Sequence, residues 1–202
     1  MNIKKNENKV SKNFFNLKIN QYFLKAKKKI KSNFFSQNRY WKNNKTFKDP
    51  DGKVRNLNLE QKKKLKDLKN EILFIKSKFE KNKNVKIIDL GSGFGFFLRA
   101  FAKKWIKVGI ELSDEVSEKS KEWSTIFKLN VQKKFNDDKL KKLGKFDIVF
   151  SYHVIEHLSQ PEKFIENAYK LLKHNGYFIL GTPNFDSGCA RRFKKNYKFF
   201  KD

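Results

Sequence analysis

The sequence predicts an α/β fold, a doubly wound and mostly parallel sheet with an N-terminal helical extension. Three observations predict it. After Asn84, short apolar runs alternate with helical stretches, which is the texture of βαβ units. The first of those runs ends in a glycine-rich turn, Gly91-Ser92-Gly93-Phe94-Gly95. Ahead of it, between Asn58 and Lys81, Leu65, Leu68, Ile72, Ile75 and Phe79 recur at three- and four-residue steps, on one face of a long helix.

The elements follow in order. Residues 1–48 are rich in Lys and Asn with aromatic pairs, and predict either a basic amphipathic helix over part of 14–35 or a disordered segment. Asp49-Pro50-Asp51-Gly52 is a turn, since Pro50 presets φ and Gly52 tolerates positive φ. Val85–Leu90 reads as the first strand and Phe96–Lys104 as the helix after it. Lys107–Glu111 is the second strand, followed by a helix near Glu115–Trp123. Thr125–Leu129 is a weaker third strand and Phe146–Tyr152 a fourth. A helix from Pro161 to Lys173 has proline in its first turn, and His174-Asn175-Gly176 reads as its C-terminal cap. Tyr177–Gly181 is the fifth strand. The expected organisation is therefore a basic extension over 1–57, a helix over 58–84 leading into or covering a site, and a cofactor-binding domain over 85–202.

Composition narrows the class. With 202 residues and 38% hydrophobic residues the chain can bury a real core, while a mean hydropathy of −0.79 leaves much of it solvated. No apolar run is long enough to span a membrane, and no secretory leader is visible. The single cysteine, Cys189, excludes a disulfide framework and a multi-cysteine zinc site, so a reducing cytoplasmic setting is the expectation. The formal charge of +27 is concentrated at the two ends. Basic tails favour polyanions, so weak contact of the N-terminus with anionic lipid or nucleic acid is one expectation. A non-catalytic protein that binds RNA or an anionic membrane through this extension is the alternative reading of the whole. Against it, Arg is confined to Arg39, Arg55, Arg99, Arg191 and Arg192, while Lys, Asn, Phe and Ile abound, as AT-rich coding yields without selection for binding.

The glycine turn carries the chemistry. Glycines at a strand-to-helix turn admit a ligand close to the backbone. The spacing G-x-G-x-G differs from the G-x-G-x-x-G of dinucleotide sites, and no phosphate loop is present. Asp89, two residues ahead of Gly91, would repel a diphosphate and attract a cofactor bearing an ammonium group. Glu111, at the end of the second strand, can accept both hydroxyls of a ribose. Together they favour a nucleoside cofactor. His153, Glu156 and His157 form a titratable cluster after the fourth strand, where open α/β sheets place their sites. One imidazole could take a proton from an acceptor, or the three could hold a divalent metal ion that polarises it. In a third reading, Glu156 and His157 only brace the loop.

These residues carry a resemblance. Asp89–Gly95, Gly109-Ile110-Glu111-Leu112-Ser113, Phe146–Leu158, Leu171–Tyr177 and Gly181–Ser187 follow one another as in class I S-adenosylmethionine (SAM)-dependent methyltransferases. The stretch is most similar to the small-molecule branch that includes the ubiquinone-pathway O-methyltransferases. The resemblance implies a Rossmann-like methyltransferase fold and SAM as cofactor. It implies Gly91, Gly93 and Gly95 beneath the methionine and ribose, Glu111 on the ribose hydroxyls, and Asn130 and Val131 beside the adenine. Asn130 stands where the family has an acidic residue. Tyr152 and His153 would lie beside the sulfonium, and Asp89, Ser92 and Leu112 complete the implied cofactor set. His153, Glu156 and His157 are the implied catalytic group, acting on a hydroxyl of a small-molecule acceptor. Two further strands close the sheet edge in this family, and their absence here predicts a C-terminally incomplete domain.

Overall fold

The computed structural model describes residues 46–48, 54–79, 81–82, 84–184 and 186–193. The expected helix over 14–35 and the turn at 49–52 lie outside the described residues. A short antiparallel pair, β1 (Thr46–Lys48) and β2 (Val54–Asn56), precedes the helices. Asn56 then caps α1 (Leu57–Asp67), its side-chain oxygen accepting the N–H groups of Asn58 and Leu59 at 2.9 and 3.4 Å. The single helix expected over 58–81 is two. At Leu68 the backbone leaves helical geometry, with φ −94° and ψ 13°, and α2 (Lys69–Phe79) follows. Leu68 is completely enclosed, and the hydrogen-bond ladder runs through the junction, Leu68 N–H bonding to the Lys64 carbonyl and Ile72 N–H to that of Leu68.

The expected alternation is present. Strands β3 (Lys86–Leu90), β4 (Ile106–Ile110), β5 (Thr125–Phe127), β6 (Phe146–Tyr152) and β7 (Leu172–Gly181) form one parallel sheet in the order β5-β4-β3-β6-β7. The order reverses between β3 and β6, so the switch point lies at their C-terminal ends. Period-two alternation divides the core between the two faces. Ile88, Leu90 and Val149 pack on one face with Phe164, Ala168 and Leu171 of α6 (Pro161–Leu171). Ile87, Ile148 and Phe150 pack on the other with Leu68 and Ile75 of the N-terminal helices. There Phe97 stacks on Phe150 with ring centroids 3.5 Å apart.

Several elements differ from expectation. The helix expected over 96–104 is one turn, α3 (Phe96–Arg99). Beyond it Ala100 and Phe101 bond back three residues, and Phe101 stacks on Trp105, drawing the chain inward. The next helix, α4, spans Asp114–Ser120, with turns out to Trp123. Between β5 and β6 lies an unforeseen helix, α5 (Asp137–Leu143), capped by Asn136 and opened by two aspartates. Helix α6 ends at Leu171, short of Lys173, because Leu172 pairs with Phe146. His174-Asn175-Gly176 is therefore a bulge within β7, where register slips between Phe146 and Ile148, and not a helix cap. Asn175 takes φ +60° there. A short helix α7 (Gly188–Phe193) follows β7, which with β5 forms the two edges of the sheet among the described residues.

Candidate active site

The glycine turn leaves β3 and is tied at once to β4. Gly91 and Ser92 donate their N–H groups to the Ile110 carbonyl at 2.8 and 3.0 Å. All three glycines have positive φ, and a side chain at Gly91 would strike Val154, with Cβ 2.5 Å from its Cγ2. Trp123 closes the far end by donating Nε1–H to the Gly95 carbonyl at 2.9 Å. Glu111 clasps the turn from the end of β4. Its Oε2 accepts Gly93 N–H at 2.9 Å, and its Oε1 accepts the N–H groups of Leu112 and Ser113 at 2.8 and 2.9 Å. A carboxylate has about four acceptor positions, so Oε2 keeps one for a ligand hydroxyl. Two further features fit a nucleoside cofactor. The buried Ser92 hydroxyl has no hydrogen-bond partner, and a Cβ placed on Gly93 would meet nothing within 4 Å. The turn thus opens on free space beside Glu111.

Asp89 is buried at the end of β3, on the face that carries Ile87. Burial pushes its carboxyl up to about 7, opposed by the Lys64 charge and reinforced by Glu111. Lys64 reaches this point because it lies one turn before Leu68 on α1, on the same inward stripe. Its ammonium sits 4.6 Å from the centroid of the Tyr152 ring. Burial lowers the Lys64 pKa, while Asp89, Glu156 and Asp67 raise it. Burial raises the Tyr152 phenol, with Glu71, Asp67 and Glu156 adding to it.

The loop after β6 holds the titratable cluster. Ser151 donates to the Leu90 carbonyl at 2.8 Å, joining the ends of β6 and β3. His153 has φ +57°, a conformation that costs about 1 kcal/mol or more for such a residue. It is held there by its N–H bond to the Gly181 carbonyl at 2.9 Å and by edge contact with Tyr152. His153 Nδ1 lies 2.8 Å from Glu156 Oε1, and Thr182 donates its hydroxyl to Glu156 Oε2 at 3.1 Å. Burial acts to raise the Glu156 pKa, but the His153 bond, its own backbone N–H and the His157 and His153 charges lower it overall. An ionised Glu156 selects the Nδ1–H tautomer of His153 and makes Nε2 the basic nitrogen. His157 lies on the exposed side of the 3₁₀ turn Ile155–His157. Among the described residues no group of three His, Cys, Asp or Glu is arranged to hold a metal ion, and His153, Glu156 and His157 do not form one.

Asn130 and Val131 stand after β5. Asn130 Oδ1 accepts Gln132 N–H at 3.1 Å, and Val131 is buried. Asn167 of α6 fixes this loop. Its amide donates to the Val131 and Lys133 carbonyls at 3.0 and 2.8 Å, and its oxygen accepts Phe135 N–H at 2.9 Å. Gln132 accepts both the N–H and the hydroxyl of Ser159, linking this loop to the one bearing His153. Lys64, Thr182, Gln132 and Asn167 escaped the reading of the sequence. Lys64 is one of a run of lysines, and only its four-residue spacing from Leu68 marks it. Leu112 is exposed and contributes its backbone N–H to Glu111.

The glycine turn thus lies at the switch point, clasped by a carboxylate from the neighbouring strand, with a histidine–glutamate pair at the end of β6. Residues 57–202 match the methyltransferase domain family, and the chain belongs to that family. It is 30% identical over 141 residues to the ubiquinone biosynthesis O-methyltransferase of Pelagibacter ubique, covering 67% of this chain and 59% of that one. To the protein of the same name from Coxiella burnetii it is 27% identical over 139 residues, covering 67% and 56%. The chain thus spans less than two thirds of the length of these relatives. A SAM-dependent methyltransferase of known structure from Thermotoga maritima aligns at 24% identity and TM-score 0.45, covering 58% of this chain and 54% of that one. Among the described residues no helix is long and apolar enough to cross a membrane.

Proposed function

We propose that this chain methylates a hydroxyl of a small molecule, such as a quinone, a sugar or a lipid-linked precursor. The observation that carries the reading is the His153–Glu156 pair, 2.8 Å apart at the end of β6, beside the glycine turn. A hydroxyl is a poor nucleophile until it loses its proton, and an imidazole oriented by a carboxylate is suited to take it. The relatives' O-methyltransferase names point to the same acceptor atom.

In this reading Glu111 holds the ribose hydroxyls while keeping Gly93 in place, and the loop at Asn130 and Val131 borders the adenine. SAM supplies an electrophilic methyl group on a positively charged sulfur. His153 Nε2 accepts the acceptor's proton, Glu156 stabilises the imidazolium that results, and Thr182 keeps Glu156 oriented. The charge of His157, when that imidazole is protonated, helps keep Glu156 ionised. Calorimetric titration with SAM, S-adenosylhomocysteine and NAD, repeated on Gly93→Arg, tests the cofactor. Binding of the two sulfur nucleosides and not NAD, lost in the variant, is the expected result. A screen of phenols, sugars and amines for methyl transfer then tests the acceptor, and transfer to amines alone would overturn the hydroxyl assignment.

A further inference from the structure

Lys64 is a cation inserted among carboxylates at the reacting end of the sheet. Asp89 on β3, Phe150 and Tyr152 on β6, and Lys64 on α1 all lie on one sheet face, because Ile87, Ile148, Leu68 and Phe150 share one core cluster and side chains alternate along strands. Its ammonium stands over the Tyr152 ring at 4.6 Å. Its charge acts on Asp89, and the charges of Asp89, Glu156 and Asp67 act on it in return. Tyr152 also feels Glu71 and Asp67 from the N-terminal helices. Burial works against the lysine's charge, and these carboxylates sustain it.

We propose that Lys64 sets the preference of this site between the positively charged cofactor and its neutral product, a proposal that rests on the SAM-dependent reading with Tyr152 beside the reacting sulfur. In the transfer, the acceptor oxygen forms its bond to the methyl carbon and the sulfur–methyl bond breaks. The bonding pair returns to sulfur and cancels its charge, while the hydroxyl proton passes to His153. SAM and S-adenosylhomocysteine share the adenosine, amino and carboxylate groups and differ at the sulfur. At an effective dielectric constant of about 20, a cation about 8 Å from a sulfonium would disfavour it by roughly 30-fold. Asp89 and Glu156 offset part of this, leaving about tenfold. The repulsion fades as the methyl leaves, so it is weaker in the transition state than in the ground state and speeds the step.

The test is calorimetric titration of the full chain with SAM and with S-adenosylhomocysteine, in the wild type, Lys64→Met and Lys64→Arg. Lys64→Met is expected to tighten SAM by about tenfold while S-adenosylhomocysteine changes by no more than about twofold, and Lys64→Arg to keep the wild-type ratio. An unchanged ratio in Lys64→Met overturns the proposal. A parallel weakening of both ligands also overturns it, since that is the mark of a lysine that grips the shared carboxylate. Loss of both ligands in Lys64→Met and Lys64→Gln, with unchanged circular dichroism, overturns it equally. If the wild type binds neither ligand, the SAM reading itself falls, and this proposal with it.

Discussion

Asp89→Asn probes the buried end of β3. In the folded chain burial lifts this carboxyl from 3.8 to about 7, with Lys64 lowering it and Glu111 raising it. Between those two values the unfolded chain has lost a proton that the folded chain retains. The stability this group contributes is full below about pH 4, declines by about 1.4 kcal/mol per pH unit, and is gone above about pH 7. Three units correspond to about 4 kcal/mol. Asn cannot ionise, so Asp89→Asn gains on the wild type as pH rises, by at most about 4 kcal/mol between about pH 4 and pH 8. Urea unfolding of both proteins at several pH values measures it, because the difference cancels the remaining titrations of a chain this basic. A difference that stays flat with pH would refute a proton held on Asp89.

Other variants separate site from scaffold. Glu111→Ala removes the acceptor of three backbone N–H groups and is expected to weaken SAM binding by about 1–3 kcal/mol, measured by calorimetry. His153→Ala is expected to lower kcat by about 10²-fold or more with little change in SAM affinity, and Glu156→Gln to cost less, in a methyl-transfer assay on an acceptor that the screen identifies. Asn167→Leu strands two carbonyls and a buried N–H and is expected to destabilise the fold by about 3–5 kcal/mol in urea.

The sheet was readable because the central strands are buried on both faces, and so carry short apolar runs such as Ile148-Val149-Phe150. Helix ends were less readable. The periodic stretch divides at Leu68 with no glycine or proline to mark the place, and Leu172 leaves α6 because Phe146, distant in sequence, offers a strand partner. Helix α5 escaped because its apolar stripe is only Leu140 and Leu143, although Asn136, the paired aspartates and Gly144 mark its two ends. The glycine turn, Glu111 and the cluster after β6 were visible, since strand ends next to glycine and titratable residues are where such sheets bind ligands.

What the chain order alone determined is the parallel α/β architecture, the glycine turn and the carboxylate opposite it, because these follow from local periodicity and from glycine's freedom at positive φ. What only the tertiary structure decided is which charges meet. Lys64 lies far from Asp89 and Tyr152 along the chain and stands among lysines that resemble it, yet helix α1 carries it to the ends of β3 and β6. His153 and His157 are four residues apart, and backbone geometry alone turns one onto Tyr152 and leaves the other exposed. Charge pairing depends on distance in space and on burial, and neither quantity is written along the sequence.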